Sequence, residues 1–526
     1  MKSKKIINNP TIVLISPQVI GAKNQVRKAQ PPLGIACLAG ILLKNGYSNV
    51  HLLDAVVEDY NNVEALEDDC NFIKYGLSDE NVVNRLKQIN PDLVGITSLF
   101  SSQAECAYSV ATSVKEAFPH IPILMGGNHT SYMYQEILRE LPAVDYIIVG
   151  EGEYSLLEFV QKYFSMRNFY DVPGLARRQG EEIKINPTRP FIANLDELPD
   201  PALHLYPMER YFEIGMPHNP FTVSDRVGSI MTSRGCPEAC YFCSSPEYTG
   251  TQFRAMSAQR TIDYIISLVA NFKIEELQIL DDTFTSNHIR VIKICEGIKH
   301  LGLRISLPNA IRGDRPLNHE KRLAMFKAMK AAGVVQFGMS VEHGDQKFLD
   351  SVVKKRLDLE EAKVTCELAH EAGLLVHANF IMGFPFETQE LRQQTIEFSK
   401  SLDADSFSVS LASPLPGTPM WDVVKKHNLF MPSFKVSRMV YVNVNIIPYD
   451  ISPEDLKLQA ETLNQELNQA AQRKSPETAE KYKRFAAKGK TANGDRKYSF
   501  DLGLANDTLH PDISSRPTIP TGRKKP

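Results

Sequence analysis

A single tryptophan, Trp421, and only eight cysteines stand in a chain of 526 residues. So few cysteines over such a length exclude a disulfide scaffold of the kind small secreted domains use. In a reducing compartment, clustered cysteines read instead as metal ligands or reactive thiols. Net charge is nearly absent too: 59 Lys and Arg against 62 Asp and Glu leave −3, so no global field argues for nucleic acid. Long hydrophobic runs are missing. The longest, residues 34–43, falls well short of the roughly 20 residues a membrane span needs. Residues 1–10 hold no apolar signal core. The expectation is a cytoplasmic chain with neither a membrane nor a nucleic acid as partner.

Two alternating stretches are present. Short aliphatic runs at 11–17, 49–54, 92–98, 121–125 and 145–149 are separated by helical patterns, which predicts a parallel sheet covered on both faces. The alternation stops at about 170, where a Pro-rich stretch begins, and resumes near 226. Strand runs at 227–233, 276–280, 304–307, 335–341, 374–381 and 406–411 then suit an incomplete parallel barrel. The predicted fold class is α/β: an N-terminal doubly wound, Rossmann-like domain over 1–170, a linker over 171–225 and a partial (β/α)6 barrel over 226–425. A mostly helical segment over 426–470 and a basic, partly disordered tail over 471–526 follow. From Ala471 onward the tail has 13 Lys and Arg against 6 Asp and Glu. Ligands of such sheets sit beyond the carboxyl ends of the strands. In the first domain those ends carry Ser98, Gly126, Gly127, Asn128, His129, Gly150 and Glu151.

The chemistry concentrates in Cys236-Pro-Glu-Ala-Cys240-Tyr-Phe-Cys243, directly after the first strand of the second domain. Thiolates are soft ligands suited to zinc or to iron–sulfur clusters. A structural zinc site wants four closed ligands, and no fourth Cys or His follows nearby; His218 lies 18 residues upstream of the trio and Cys295 52 downstream. Three ligands on one loop leave a metal position open. Zinc or plain structural thiols remain the alternatives on spacing alone.

The C-x3-C-x2-C spacing, with Phe242 before the third Cys, resembles the signature of the radical S-adenosylmethionine (SAM) superfamily. The resemblance implies that Cys236, Cys240 and Cys243 hold a [4Fe–4S] cluster whose remaining iron chelates SAM, with the hard chemistry carried by the cofactor. It extends along the barrel. Asp282 after the second strand, Ser340 and Glu342 at the end of the fourth and Gly383 after the fifth fall where that family contacts SAM. With a doubly wound domain in front, the chain resembles the cobalamin-binding subclass, which implies that the turns at 126–129 and 150–153 hold cobalamin, carried as methylcobalamin. Many such domains have Asp-x-His-x-x-Gly; here the second strand ends Asp54-Ala-Val-Val-Glu58. A base-off cobalamin with no His ligand is therefore expected, with His129 either touching the nucleotide tail or corrin edge or standing as a plain loop histidine.

Segments 72–79, 95–104, 211–214 and 220–228 are similar to C-methyltransferases of cytidylylated phosphonates, in an antibiotic-biosynthesis subfamily, and the similarity runs to about residue 470. This implies methyl transfer from methylcobalamin to an unactivated carbon of a small-molecule substrate, a nucleotidyl phosphonate being a candidate. A low-potential flavodoxin or ferredoxin is the implied electron donor. The alternatives are a rearrangement or cyclisation without methyl transfer, a methylthiotransferase using Cys37, Cys70 and Cys106 for a second cluster, and a non-catalytic corrinoid sensor. Arg234 and Arg312 are candidates for an anionic substrate or for structural pairing. Cys37, Cys70, Cys106, Cys295 and Cys366 are expected in the core, and Trp421 as a packing residue.

Overall fold

The computed structural model describes residues 6–474 apart from 24, 220, 221 and 223. The expected tail therefore lies, beyond 474, outside the described residues. In the strand Ile12–Ser16 every residue is buried, as an aliphatic run covered on both faces requires. It is central in a parallel set ordered Val50–Asp54, Ile12–Ser16, Leu93–Thr97, Ile123–Gly126, Tyr146–Ile148. The chain leaves Ile12–Ser16 on one side and continues on the other. This reversal opens a crevice beyond the carboxyl ends of Ile12–Ser16 and Leu93–Thr97, the place where doubly wound sheets bind ligands.

Part of the stretch expected as linker belongs to this sheet. Leu175–Gln179 and Glu182–Ile185 form a hairpin that extends it antiparallel beyond Tyr146–Ile148. Glu182–Ile185 is the edge strand of the sheet, and the charged residues of the hairpin mask the pattern. Arg178 lies half-buried and donates to the Leu138 carbonyl at 2.7 Å. A small antiparallel sheet of Val19–Ala22, Phe72–Tyr75 and Val63–Ala65 was not legible in the sequence. The Pro-rich stretch that follows the hairpin does run as a strap: Ala202 N–H bonds the Ala36 carbonyl at 2.9 Å, and Tyr211 donates to Asp54 Oδ2 at 2.6 Å.

Six parallel strands follow in chain order as an open barrel: Val227–Ile230, Glu276–Ile279, Arg304–Ile311, Val334–Glu342, Leu375–Met382 and Ser406–Leu411. The third outruns its apolar run because the register shifts between Leu307 and Ile311; a bulge accommodates Pro308, which cannot donate to a regular ladder. Barrel helices start at side-chain caps: Ser257, Asn318, Asp358, Thr388 and Thr418 each accept a backbone N–H of the first turn, as capping residues do. Residues 427–452 are mostly turns, so the expected helical segment begins in earnest only at Pro453–Lys474. That helix covers the sixth strand. Asn468 exchanges bonds with both backbone groups of Phe407 at 3.0 and 2.9 Å, and Asn464 accepts Val409 N–H at 3.2 Å. Side-chain amides thus satisfy an edge that would otherwise stand unpaired.

One apolar cluster runs from Ile12 and Leu156 through Leu203 and Phe212 to Ile230 and Phe337. The two sheets therefore share a core. Among the described residues no helix is long and apolar enough to cross a membrane.

Candidate active site

The cysteine loop is bound to its surroundings through backbone bonds. Cys236 N–H reaches the Gly250 carbonyl at 3.1 Å, Tyr241 N–H the Val353 carbonyl at 2.9 Å and Cys243 N–H the Cys240 carbonyl at 3.1 Å. Gly235, at φ +88°, lies against the Gln252 carbonyl where a side chain would collide; only glycine fits. The three cysteines are half-buried. Burial pushes the Cys236 thiol up to about 11 and the Cys240 thiol to about 12, a cost that bonding to a cation removes, since a coordinated thiol is deprotonated outright. Among the described residues no group of three His, Cys, Asp or Glu converges on a single-ion position. His218, weighed as a further ligand, instead bonds Asn309.

Acidic and aromatic groups surround the loop. Asp282 is held by Ser245 and raised by burial, and its charge is felt at Cys236 and Cys243. Its neighbour Asp281 is spent differently: it accepts the hydroxyls of Thr232 and Ser233, both at 2.6 Å, and so braces the root of the loop. Glu342 sits at φ +75° after a register shift at Ser340, an unfavourable backbone state of the sort stored at functional sites. It pairs with Lys355 at 2.9 Å. Burial alone would lower the Lys355 pKa, but the charges of Glu342 and then Cys240 outweigh it and hold the ammonium protonated. Sequence reading missed Lys355 because Lys354-Lys355-Arg356 looks like a solvated charge run. Phe242 meets Phe384 at 6.0 Å between ring centroids, next to Gly383.

The first sheet presents a different surface. Ser98 is fully buried at the crevice and its Oγ has no hydrogen-bond partner within the protein. Gly127, at φ +105°, comes so close that a Cβ would stand 2.6 Å from the Ser98 carbonyl oxygen. Gly126, Asn128 and Gly150 follow on the same rim, and beyond it Leu99 and Phe100 are 41% and 54% exposed. An orphan polar atom, a tight glycine cradle and open apolar side chains fit a large amphipathic cofactor such as cobalamin. His129 does not turn toward that rim: Tyr108 Oη lies 2.8 Å from Nε2 and Ser101 Oγ 3.0 Å from Nδ1, so both ring nitrogens are engaged inside the domain. Burial lowers its pKa to about 4. Glu151 pairs with Arg234 and Arg254 at 3.1 and 2.9 Å.

The two surfaces meet. Tyr132, just after the 126–129 turn, packs edge-on against Tyr248 of the loop at 6.4 Å, and its buried hydroxyl has no partner within the protein. Tyr441 is 57% exposed, yet burial raises its phenol, with Tyr248 and Cys243 of the loop region as the next contributions. Residues 435–438 cross back to the first domain, Lys435 to Asp68 at 2.6 Å and Arg438 to Glu105 at 2.7 Å. The arginines expected as candidates for an anionic substrate are both paired within the protein, Arg234 with Glu151 and Glu153 and Arg312 with Glu238 and Asp314. Cys106, Cys295 and Cys366 are buried as expected and Cys37 half-buried, but Cys70 is exposed. It lies in the polar turn Asp68-Asp69-Cys70-Asn71, where no apolar face exists to bury it. Cys37, Cys70 and Cys106, weighed for a second cluster, differ in setting, half-buried, exposed and buried in turn.

Comparison with known proteins agrees with this geometry. The B12 binding domain family matches residues 21–160 and the radical SAM superfamily residues 230–399. The chain is 32% identical over 431 residues to the uncharacterized methyltransferase PH0819 of Pyrococcus horikoshii, covering 82% of this chain and 85% of that protein. It is 29% identical over 457 residues to the cytidylyl-2-hydroxyethylphosphonate methyltransferase of Streptomyces wedmorensis, covering 82% and 84%. An anaerobic magnesium-protoporphyrin IX monomethyl ester cyclase of Cereibacter sphaeroides is 28% identical over 81% of this chain and 66% of its own length. In fold, the radical SAM methyltransferase TsrM from Kitasatospora setae, solved with tryptophan substrate and a SAM analog, superposes with a TM-score of 0.63 at 18% identity, over 85% of this chain and 83% of TsrM. A cysteine loop at a barrel mouth, a glycine-lined crevice facing it and these relatives lead to one conclusion: the chain belongs to the cobalamin-dependent radical SAM methyltransferases, whose cofactors are cobalamin, a [4Fe–4S] cluster and SAM.

Proposed function

We propose that this enzyme methylates a non-nucleophilic carbon of an anionic small molecule, a phosphonate-type biosynthetic intermediate, held between the barrel mouth and the glycine turns. The observation that carries this reading is the meeting of the two strand-end surfaces at Tyr132 and Tyr248, ring centroids 6.4 Å apart, with the large apolar side chains of Leu99, Phe100, Met231 and Tyr441 left exposed. The S. wedmorensis relative, named for its action on a cytidylylated phosphonate, suggests the substrate class. Lys28 is exposed and close enough to His218 to help burial lower the imidazole to about 4, which leaves His218 a neutral hydrogen-bonding group beside Asn309 of the third barrel strand.

When bound, the cluster with SAM supplies a hydrogen-abstracting radical and cobalamin supplies the methyl group. The chain's own residues bind and orient. Cys236, Cys240 and Cys243 are the cluster ligands. Asp282, Ser340, Glu342 and Gly383 are assigned to the polar and ribose groups of SAM, with Phe242 against its adenine side. Ser98, Gly126, Gly127, Asn128 and Gly150 are assigned to cobalamin. The carbon to be methylated must come within near-attack distance of each cofactor in turn, which the shared boundary makes feasible. A low-potential flavodoxin or ferredoxin in the cytoplasm is the proposed electron source.

Anaerobic turnover with methyl-labelled SAM and nucleotidyl phosphonates, read by mass, tests the proposal. A product heavier by one labelled methyl is expected. Consumption of substrate without mass gain would favour the cyclase-like alternative, which the C. sphaeroides relative keeps in view. No consumption would remove the phosphonate assignment.

A further inference from the structure

Four charges, those of Glu153 and Arg254 buried and those of Glu151 and Arg234 half-buried, close the boundary between the 150–153 turn and the root of the cysteine loop. Arg234 Nη2 lies 2.5 Å from Glu153 Oε1, and Nη1 lies 3.1 Å from Glu151 Oε1. Arg254 Nη2 lies 2.9 Å from that same Glu151 oxygen. The other Glu151 oxygen accepts Ile192 N–H at 2.7 Å from the strap. The side chains of Glu153 and Arg254 are only 6% and 4% exposed. Two carboxylates face two guanidiniums, so the cluster is neutral as a whole.

Cohesion does not require this cluster, because the continuous apolar core already joins the domains. Buried ion pairs rarely outperform apolar packing in stability. They differ in direction: apolar contact tolerates sliding, whereas a guanidinium fork meets carboxylates in fixed geometry. The location matters as well. Arg234 immediately precedes Gly235 and Cys236, and Glu151 and Glu153 belong to the turn next to the crevice. Each end of the cluster is therefore within a few residues of a different cofactor surface.

We propose that Glu151, Glu153, Arg234 and Arg254 are positioning residues that set the distance between the thiolate loop and the glycine turns, and so couple SAM cleavage to methyl transfer. This rests on the family's two-cofactor chemistry and not on the identity of the substrate. It also departs from the expectation that Glu151 touches cobalamin. Formation of 5′-deoxyadenosine needs only the barrel; methyl transfer needs both surfaces in register.

The test uses Glu153→Gln and Arg234→Lys in the full chain, reconstituted with iron, sulfide and cobalamin. Iron content, cobalamin content and the rate of 5′-deoxyadenosine formation should stay within about twofold of the unmutated enzyme, while methylated product per 5′-deoxyadenosine falls by about 100-fold for a displacement near 1 Å. Self-methylation is excluded by reading the ratio with any substrate the unmutated enzyme accepts, so failure of the phosphonate assignment does not disguise failure here. If Glu153→Gln does not fold, Arg234→Lys, which keeps the charge count, carries the same reading. An unchanged product ratio overturns the proposal. So does loss of cobalamin affinity in Glu153→Gln, which would make the turn a cofactor contact, or a joint fall of cleavage and product in Arg234→Lys with iron lost, which would make the arginine a mere brace of the loop.

Discussion

The two mouths that face each other in this enzyme are built on opposite principles. The rim of the first sheet is neutral and small: Gly126, Gly127, Gly150 and an orphan Ser98 hydroxyl. The barrel mouth is dense in ionisable groups: three thiols, Asp281, Asp282, Glu342 and Lys355. A large rigid cofactor is recognised by shape and by a few amide-sized hydrogen bonds. A cluster and a zwitterionic ligand are recognised by bonds to metal and by charge. The difference teaches that disruption should be steep on one side and graded on the other.

The steepest effect is expected at the thiols. Changing Cys236, Cys240 or Cys243 to Ala should abolish 5′-deoxyadenosine formation and lower bound iron, measured after anaerobic reconstitution; full cleavage with an intact cluster would break the comparison at its root. Next comes Glu342→Gln, which leaves Lys355 charged and unpaired in a buried site. A stability loss of about 3–5 kcal/mol is expected, seen in denaturant unfolding, together with weaker SAM binding by calorimetry. A neutral outcome would mean that water or another carboxylate reaches Lys355.

The smallest effect sits on the first domain and concerns pH. His129 titrates at about 4 in the folded chain instead of 6.5. Above pH 6.5 both folded and unfolded states hold it neutral, and its contribution is complete. Between 6.5 and 4 the unfolded chain takes a proton that the folded one refuses, so stability falls as pH drops, by at most about 3 kcal/mol at the acid end. Asp54, raised to about 7 by burial, slopes the other way from pH 3.8 to 7, so the difference between the unmutated enzyme and His129→Gln isolates the imidazole. Unfolding midpoints of the two should converge toward low pH; a parallel pair of curves would show that folding leaves the His129 pKa unshifted.

Much of this architecture was legible beforehand. The run at 406–411 coincides with the sixth barrel strand, and the other aliphatic runs fall on strands with ends shifted by a few residues. Trp421 packs against Phe430 and Phe434 at 4.9 and 6.2 Å, as expected of a lone tryptophan. The edge hairpin Leu175–Gln179 and Glu182–Ile185 was not legible, because an edge strand exposes charge that erases its alternation. Nor was the true office of Glu151, whose partner Arg234 is far along the chain and has no local signature.

Local chemistry and periodicity were enough, from the residues alone, to reveal the thiol trio, the two alternating blocks and the glycine turns, since each depends on neighbours within a few positions. Which of two adjacent aspartates faces the cluster, which arginine is consumed by a carboxylate and which histidine is sealed inward were decided only by folding. Those outcomes depend on groups brought together from distant parts of the chain, and burial, which sets their charge, exists only once the two sheets have closed on one another.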